Sequence, residues 1–449
     1  MKGNAFTMAV GILALCLAAA DSIGAADPPD CDDDNGGLIL PDGFCALEVA
    51  NGLGHARHIT VADNGDIYVA LRERDGEVGG IAGLRDNSGN GRMDERIRFG
   101  ESGGTGIGLH EGFLYFGEDQ RVLRYRLQEK HLGPEDDPEV IVHDFPAQQS
   151  HASKSFTFDD EGNLYVNVGA PSNSCQAEDR SPGSPGRAPC PDLNTAGGIW
   201  KFDATAEGQT QADGVRYATG IRNALAIAWN PLDAQLYVVQ HGRDQLSANW
   251  GQYYDDGANA ELPSEEFLRV TEGADFGWPY CYHDPRRNRR MLAPEYGGNG
   301  RNPGLCNDRY PPPELAFPAH YAPNALHFYQ GEQFPDHYRN GAFVAFHGSW
   351  DRAPLEQHGY MVAFVPMDED GRVTEGKAWE VFADGFAGKD SIDSPDQAAH
   401  RPMGLAEGPD GSLYISDSRE GRIWRVIYQG DEPQTLLGRQ AEALIRWLQ

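Results

Sequence analysis

The chain has 449 residues, with 37 basic against 68 acidic side chains and a net charge of −31. Such a surface repels nucleic acid and anionic lipid, so neither is an expected partner. After residue 26 no segment is long and apolar enough to span a bilayer.

At the start, Lys2 precedes the apolar stretch AFTMAVGILALCLAAA and then DSIGAAD. The stretch is too short for a membrane span, and Gly24 and Ala26 suit cleavage after Ala26. Residues 1–26 therefore read as a secretory signal, and 27–449 as one exported domain, periplasmic or secreted. Leu15 before Cys16 is too bulky for lipoprotein processing. Six cysteines remain, Cys31, Cys45, Cys175, Cys190, Cys281 and Cys306, in three sequential pairs. That is the arithmetic of three local disulfides in an oxidising compartment, although counting leaves other pairings open. There is no C-x-x-C, hence no zinc or haem-attachment motif.

One phrase, a turn followed by an aromatic residue among β-branched ones, recurs six times. It reads ADNGDIYVA at 62–70, HEGFLYFG at 110–117, DDEGNLYVNVG at 159–169, NPLDAQLYVVQ at 230–240, YRNGAFVAFHG at 338–348 and GPDGSLYISD at 408–417. Gly and Asp supply the reversal and the alternating Tyr, Val and Ile supply a strand. A second strand-like phrase follows each copy, such as GGIWKFD or GRIWRVIY. The early spacing is about fifty residues, the length of a four-stranded propeller blade. The expected fold is all-β, a six-bladed β-propeller over 38–430 with loop insertions such as 279–313; a two-sheet sandwich is the weaker rival. The final QTLLGRQAEALIRWLQ, 434–449, reads as a short amphipathic terminal helix.

In a propeller the residues before each innermost strand point at one mouth of the central channel. Aligned on the repeat, that place holds Arg57, His151, Arg222 with Asn223, His320 and Arg401; the second copy, GGTGIG, offers mostly glycine, which suggests room. Five cationic or imidazole groups aimed at one mouth of an acidic protein call for an anion. A compact polyanion with planar groups suits the guanidinium fork.

These phrases, with LPDGFCALEVANGL (40–53), GIRNALAIAW, HGRD (241–244), EEFLRVTEGADFGWPYC (265–281) and FVAFHGSWDR (343–352), resemble the soluble quinoprotein sugar dehydrogenases, the glucose/sorbosone dehydrogenase family that uses pyrroloquinoline quinone (PQQ). The wording is closer to the sorbosone and broad aldose branch. The resemblance implies a six-bladed propeller oxidising an aldose or sugar aldehyde, with hydride passing to PQQ and electrons leaving to a separate acceptor such as a cytochrome or quinone. It implies His151 as general base, Arg222 stabilising charge beside the quinone, and Asn223, Arg401 and Arg352 as further cofactor contacts; Arg57 and His320 join them as members of the basic ring. It also implies Ca2+ held by the backbone carbonyls of Gly242 and Arg243. One departure stands out. The aspartate that orients the base in glucose-oxidising members is replaced by Ala170.

Two weaker motifs carry less. The loop RDNSGNGRMDE (85–95) echoes an EF-hand at Asp86, Ser88, Asn90, Gly91 and Asp94, but position twelve is Ile97, so a bare turn is the better reading. His55 and His58 are spaced like a metal pair but suit packing and hydrogen bonding on a strand opening. Against the dehydrogenase stand a propeller kept as a binding module without redox chemistry and, less favoured, a calcium-dependent lactonase, which predicts carboxylates converging on the mouth.

Overall fold

The computed structural model describes residues 29–430 except 74, 75, 129 and 377. The signal segment 1–26 and the terminal helix 434–449 expected above lie outside the described residues.

Every copy of the repeat closes a hairpin between the first and second strands of a blade. Each reversal has a left-handed residue just before the second strand: Gly65, Gly112, Gly162 and Gly411 in four copies, and Ala234 and Asn340 in the other two. The second copy adds another at Glu111. At Gly112 and Gly162 a side chain would meet nothing within 4 Å, so backbone conformation rather than space selects glycine there.

Six four-stranded antiparallel blades result, the second and third each extended by a short parallel strand, Gln209–Thr210 and Ala274–Asp275. From the channel outward, the first blade is Ala56–Val61, Ile67–Leu71, Gly80–Arg85 and Glu95–Phe99. The second is Gly104–His110, Phe113–Glu118, Val122–Arg126 and Glu139–His143, and the third Phe156–Phe158, Asn163–Val168, Gly198–Asp203 and Val215–Thr219. The fourth is Ala226–Asn230, Gln235–Gln240, Glu265–Val270 and Leu315–Phe317, and the fifth Pro323–Phe328, Ala342–His347, Tyr360–Val365 and Glu380–Ala383. The sixth takes Pro402–Glu407, Leu413–Asp417 and Ile423–Tyr428 from the end of the chain and Phe44–Ala50 from its beginning, paired Phe44 to Tyr428. That antiparallel pairing closes the ring and leaves no open edge between first and last blades.

The core is six apolar slabs, one at each boundary between blades. Leu47, Ile423 and Ile427 of the sixth blade pack on Ile59, Ile67 and Val69 of the first; Phe343, Phe364 and Phe382 of the fifth pack with Leu413 and Trp424 of the sixth. Equivalent slabs fill the other four boundaries. Central strands such as Ile67–Leu71 and Tyr360–Val365 are buried along their whole length, because both faces meet neighbouring blades. Each buried Val, Leu or Ile contributes about 1.5–3 kcal/mol.

The glycines of the second blade do not leave room at the mouth, as the sequence suggested. A side chain at Gly106 would lie 2.4 Å from the Lys154 carbonyl, and one at Gly104 2.5 Å from the Gly117 carbonyl. Gly106 lets the second and third blades approach closely, and Gly104 lets the inner strand close on its own neighbour. The three disulfides form as paired in sequence, Cys31–Cys45, Cys175–Cys190 and Cys281–Cys306. The last ties the 279–313 insertion, which carries its own hairpin, Cys281–Asp284 with Arg289–Leu292.

Candidate functional site

In each blade the inner strand runs away from the mouth and the second strand runs back. Loops joining second to third strands therefore return to the place from which the inner strands start. At the third, fourth and fifth blades these loops are long, 169–197, 241–264 and 348–359. They meet His151, Arg222, His320 and Arg401, which precede their inner strands.

His151 adopts a left-handed backbone, φ 53°. Its Nδ1 lies 2.6 Å from the carbonyl of Ala170. A carbonyl only accepts, so Nδ1 carries the proton and Nε2 the lone pair. The departure at position 170 is thus made good by the backbone: the carbonyl orients the ring as a carboxylate would, without adding charge. Burial, with the Arg222 guanidinium beside it, lowers the imidazole to about 3, so it stays neutral. Gly169 makes the placement possible, since a side chain there would lie 2.6 Å from Asn223 Oδ1 and 2.7 Å from His151 Cβ. Asn223 Oδ1 also accepts from Asn167 Nδ2 at 3.1 Å, and Asn167 Oδ1 accepts from the amide of Ala224.

Arg222 is buried at the mouth, but its partner differs from the expected one. Its guanidinium donates to Asn173 O (3.1 Å), Asn173 Oδ1 (3.0 Å), Gly242 O (2.8 Å) and Asp244 Oδ2 (2.7 Å). The anion that neutralises it is a side chain, Asp244, from the loop after the second strand of its own blade. Arg180 adds a second contact to Asp244 at 3.2 Å. The two guanidinium groups and His320 hold the Asp244 carboxyl below its usual range, against burial.

The remaining expected residues divide. Arg401 donates from Nε and Nη2 to the carbonyls of His347 and Gly348, both at 2.9 Å, with its guanidinium over the Tyr360 ring. Arg57 directs Nε at Thr105 Oγ1, 3.4 Å. His320 is buried, 5 % exposed, and sits between Asp244 and Asp351 rather than in the ring of cofactor contacts. Arg352 also leaves that ring, because it donates to Ala260 O and Glu356 O and braces its loop against the short helix Asp256–Glu261. Gly242 O is already taken by Arg222, and the Arg243 side chain is committed to Glu295 at 2.6 Å. A cation on the Gly242 and Arg243 carbonyls would share the Gly242 oxygen with the Arg222 guanidinium, whose charge opposes it.

Sequence reading missed Asn173, Asp244, Glu265, Asp351 and Lys154. Asp244 and Asp351 lie inside the quoted HGRD and SWDR phrases, where a carboxylate next to a buried arginine was the available signal. Glu265 accepts from the amides of Gly242 (2.6 Å) and Ala322 (3.2 Å), and burial pushes its carboxyl up to about 8. Lys154 is fully buried against Ala152 O and lies over the Phe145 ring, and burial brings its amine down to about 8. His58 and His241 line the channel and donate from Nε2 to Asn324 O and Pro323 O. Both are lowered to about 4 by burial, with Arg57 and Arg222 contributing. The 85–95 loop is a turn in which Asp86 accepts the amides of Ser88, Gly89 and Gly91.

A family model described as TrAA12-like matches residues 38–429. A pyrroloquinoline quinone-dependent sugar dehydrogenase of Hypocrea jecorina is 22 % identical over 227 residues, 47 % of this chain and 48 % of that protein. The matches thus span about half the length of the curated relatives. Among solved structures, the iodide structure of the Trichoderma reesei carbohydrate-active enzyme of family AA12 superposes with TM-score 0.71 at 18 % identity, covering 87 % of this chain and 98 % of that one. The holo form of the pyranose dehydrogenase PQQ domain from Coprinopsis cinerea gives 0.69 at 18 %, covering 87 % and 97 %. At these identities the superpositions show the fold alone. The repeat, the closed ring of six blades and the match over nearly all described residues agree, and the chain belongs to the TrAA12-like family.

Proposed function

We propose that the protein is an exported quinoprotein dehydrogenase that oxidises an aldose or related pyranose at the channel mouth. The observation that carries this reading is His151, whose Nδ1–H is fixed on the Ala170 carbonyl and whose neutral Nε2 keeps its lone pair. Such a group takes the proton of a sugar hydroxyl as the hydride leaves its carbon.

The donor set fits a carboxylate-rich cofactor. Three imidazoles, His58, His151 and His241, are held neutral by burial, with neighbouring guanidinium groups adding to it, on a chain that is otherwise acidic. PQQ, when bound, supplies a two-electron acceptor for the hydride. Arg57 and Arg401 would hold its carboxylates. Arg222, fixed by Asp244, presents a constant positive charge beside His151, while Asn223 packs against the base over Gly169. Relatives named for PQQ, sugar and pyranose oxidation support this assignment. Of the carboxylates a lactonase would need in the mouth, Glu265 is buried and spent on backbone amides, and Asp244 commits Oδ2 to Arg222.

Three disulfides agree with folding in an oxidising compartment. A separate acceptor, a cytochrome or a quinone, would take the electrons onward. The test is titration of the purified mature protein with PQQ, followed by dye reduction on a panel of aldoses. His151→Ala should still bind the cofactor and lose about 10²–10⁴ in turnover. Failure of the parent protein to bind PQQ overturns the reading, and binding without turnover on any sugar favours the binding-module alternative.

A further inference from the structure

Behind Arg222 three side chains from separate segments converge: Asp244 from the 241–264 loop, His320 from the approach to the fifth blade, and Asp351 from the 348–359 loop. One ligand atom from each lies within 4.8 Å of the others. Each residue is anchored through one of its atoms. Asp244 Oδ2 is held by Arg222 and Arg180, and Asp351 Oδ2 accepts from the Gln245 amide (2.6 Å) and Asn259 Nδ2 (3.3 Å). His320 Nε2 donates to the Asn259 carbonyl at 2.7 Å.

That last bond places a proton on Nε2, because a carbonyl accepts only, so Nδ1 is the ring atom left to meet a proton or a metal ion. The His320 side chain is 3 % exposed, and Nδ1 faces Asp244 Oδ1 across 3.8 Å without a hydrogen bond. A carboxylate oxygen facing that nitrogen is favourable when a positive charge, a ring proton or a metal cation, lies between them. Asp244 Oδ1 and Asp351 Oδ1 likewise take no hydrogen bond among the described residues. The anchored partners correspond to the outer-shell contacts that orient ligands in metal sites.

We propose that Asp244, His320 and Asp351 form a binding site for a divalent transition-metal cation of the Mn2+ or Zn2+ type. Two carboxylates and one imidazole suit such an ion, whereas Ca2+ prefers an all-oxygen shell. The site is separate from the Gly242 and Arg243 carbonyls and does not depend on the quinone reading. Through Asp244, the ion would brace the carboxylate that holds Arg222.

The experiment strips the mature full-length protein with chelator, titrates it separately with Mn2+, Zn2+ and Ca2+, and measures bound metal and the unfolding temperature. One equivalent of Mn2+ or Zn2+ should bind more tightly than Ca2+ and raise the unfolding temperature. His320→Gln and Asp351→Asn, each checked for native circular dichroism, should weaken binding at least about tenfold. With Co2+ as probe, the visible absorption of nitrogen–oxygen ligation should change in His320→Gln. Lack of stoichiometric transition-metal binding, tighter binding of Ca2+, or unchanged affinity in both variants overturns the site.

Discussion

The second and fourth blades are built from the same repeat, yet only the fourth holds a buried ion pair, Arg222 with Asp244, at the mouth. In the second blade, residues 119–121 alone join the second strand to the third; in the fourth, the join is 241–264. The short loop closes with Asp119 paired to Arg72, side chains 30 % and 40 % exposed for the arginine and aspartate. The long one folds Asp244 back onto Arg222, 13 % and 3 % exposed. Strands set the aim of the mouth residues, and the loop length decides whether a carboxylate can be brought in to hold a buried cation there.

That contrast breaks hardest at Asp244. Asp244→Ala leaves Arg222 buried without its anion, and the expected cost is about 3–5 kcal/mol of unfolding free energy, measured by denaturant titration. A loss under about 1 kcal/mol would mean that Arg222 reaches solvent and that the fourth blade is no different from the second.

The next effect falls on turnover. Gly169→Ala sets a methyl against both His151 and Asn223, so the ring must move off its carbonyl. About 10²-fold lower turnover is expected, with the fold retained. Unchanged turnover would show that the base is not held by this contact.

The pH dependence of stability sharpens the same picture. His58, His151 and His241 have folded values of about 4, 3 and 4, below the ordinary 6.5. Between those values the unfolded chain binds more protons, so their contribution is complete above about pH 6.5 and is lost as pH falls toward 4. Glu265 has the opposite sign: raised to about 8, it contributes below its ordinary 4.5 and loses that contribution as pH rises through 8. Unfolding temperature should therefore fall steeply on acidification from pH 6.5, and His241→Asn should make that fall shallower.

The fold was legible because most turns of the repeat declare their left-handed residue, Ala234 excepted, and each central strand its continuous apolar run. The mouth was legible as far as His151, Arg222, Asn223, Arg57 and Arg401, since their places follow from the repeat. Partners were not. Asp244 meets Asn173 and Asp351 meets Asn259 only after loops of different blades return to one mouth, and no local period marks that meeting. The same limit explains His320: its position in the repeat was read, but the carboxylates around it come from elsewhere. At GGTGIG the error was one of packing, because glycine marks a close approach between backbones as readily as an open space.

Asp119 gives the smallest effect and the cleanest control. Its pairing with Arg72 is bidentate, 3.1 Å in both contacts, but half in solvent, and Arg72 also reaches Ser153 Oγ at 3.0 Å. Water can replace what the carboxylate gives, so Asp119→Ala should cost about 0–1 kcal/mol and lose part of that in high salt. If unfolding of this variant matched that of Asp244→Ala, loop length would not be what separates the two blades.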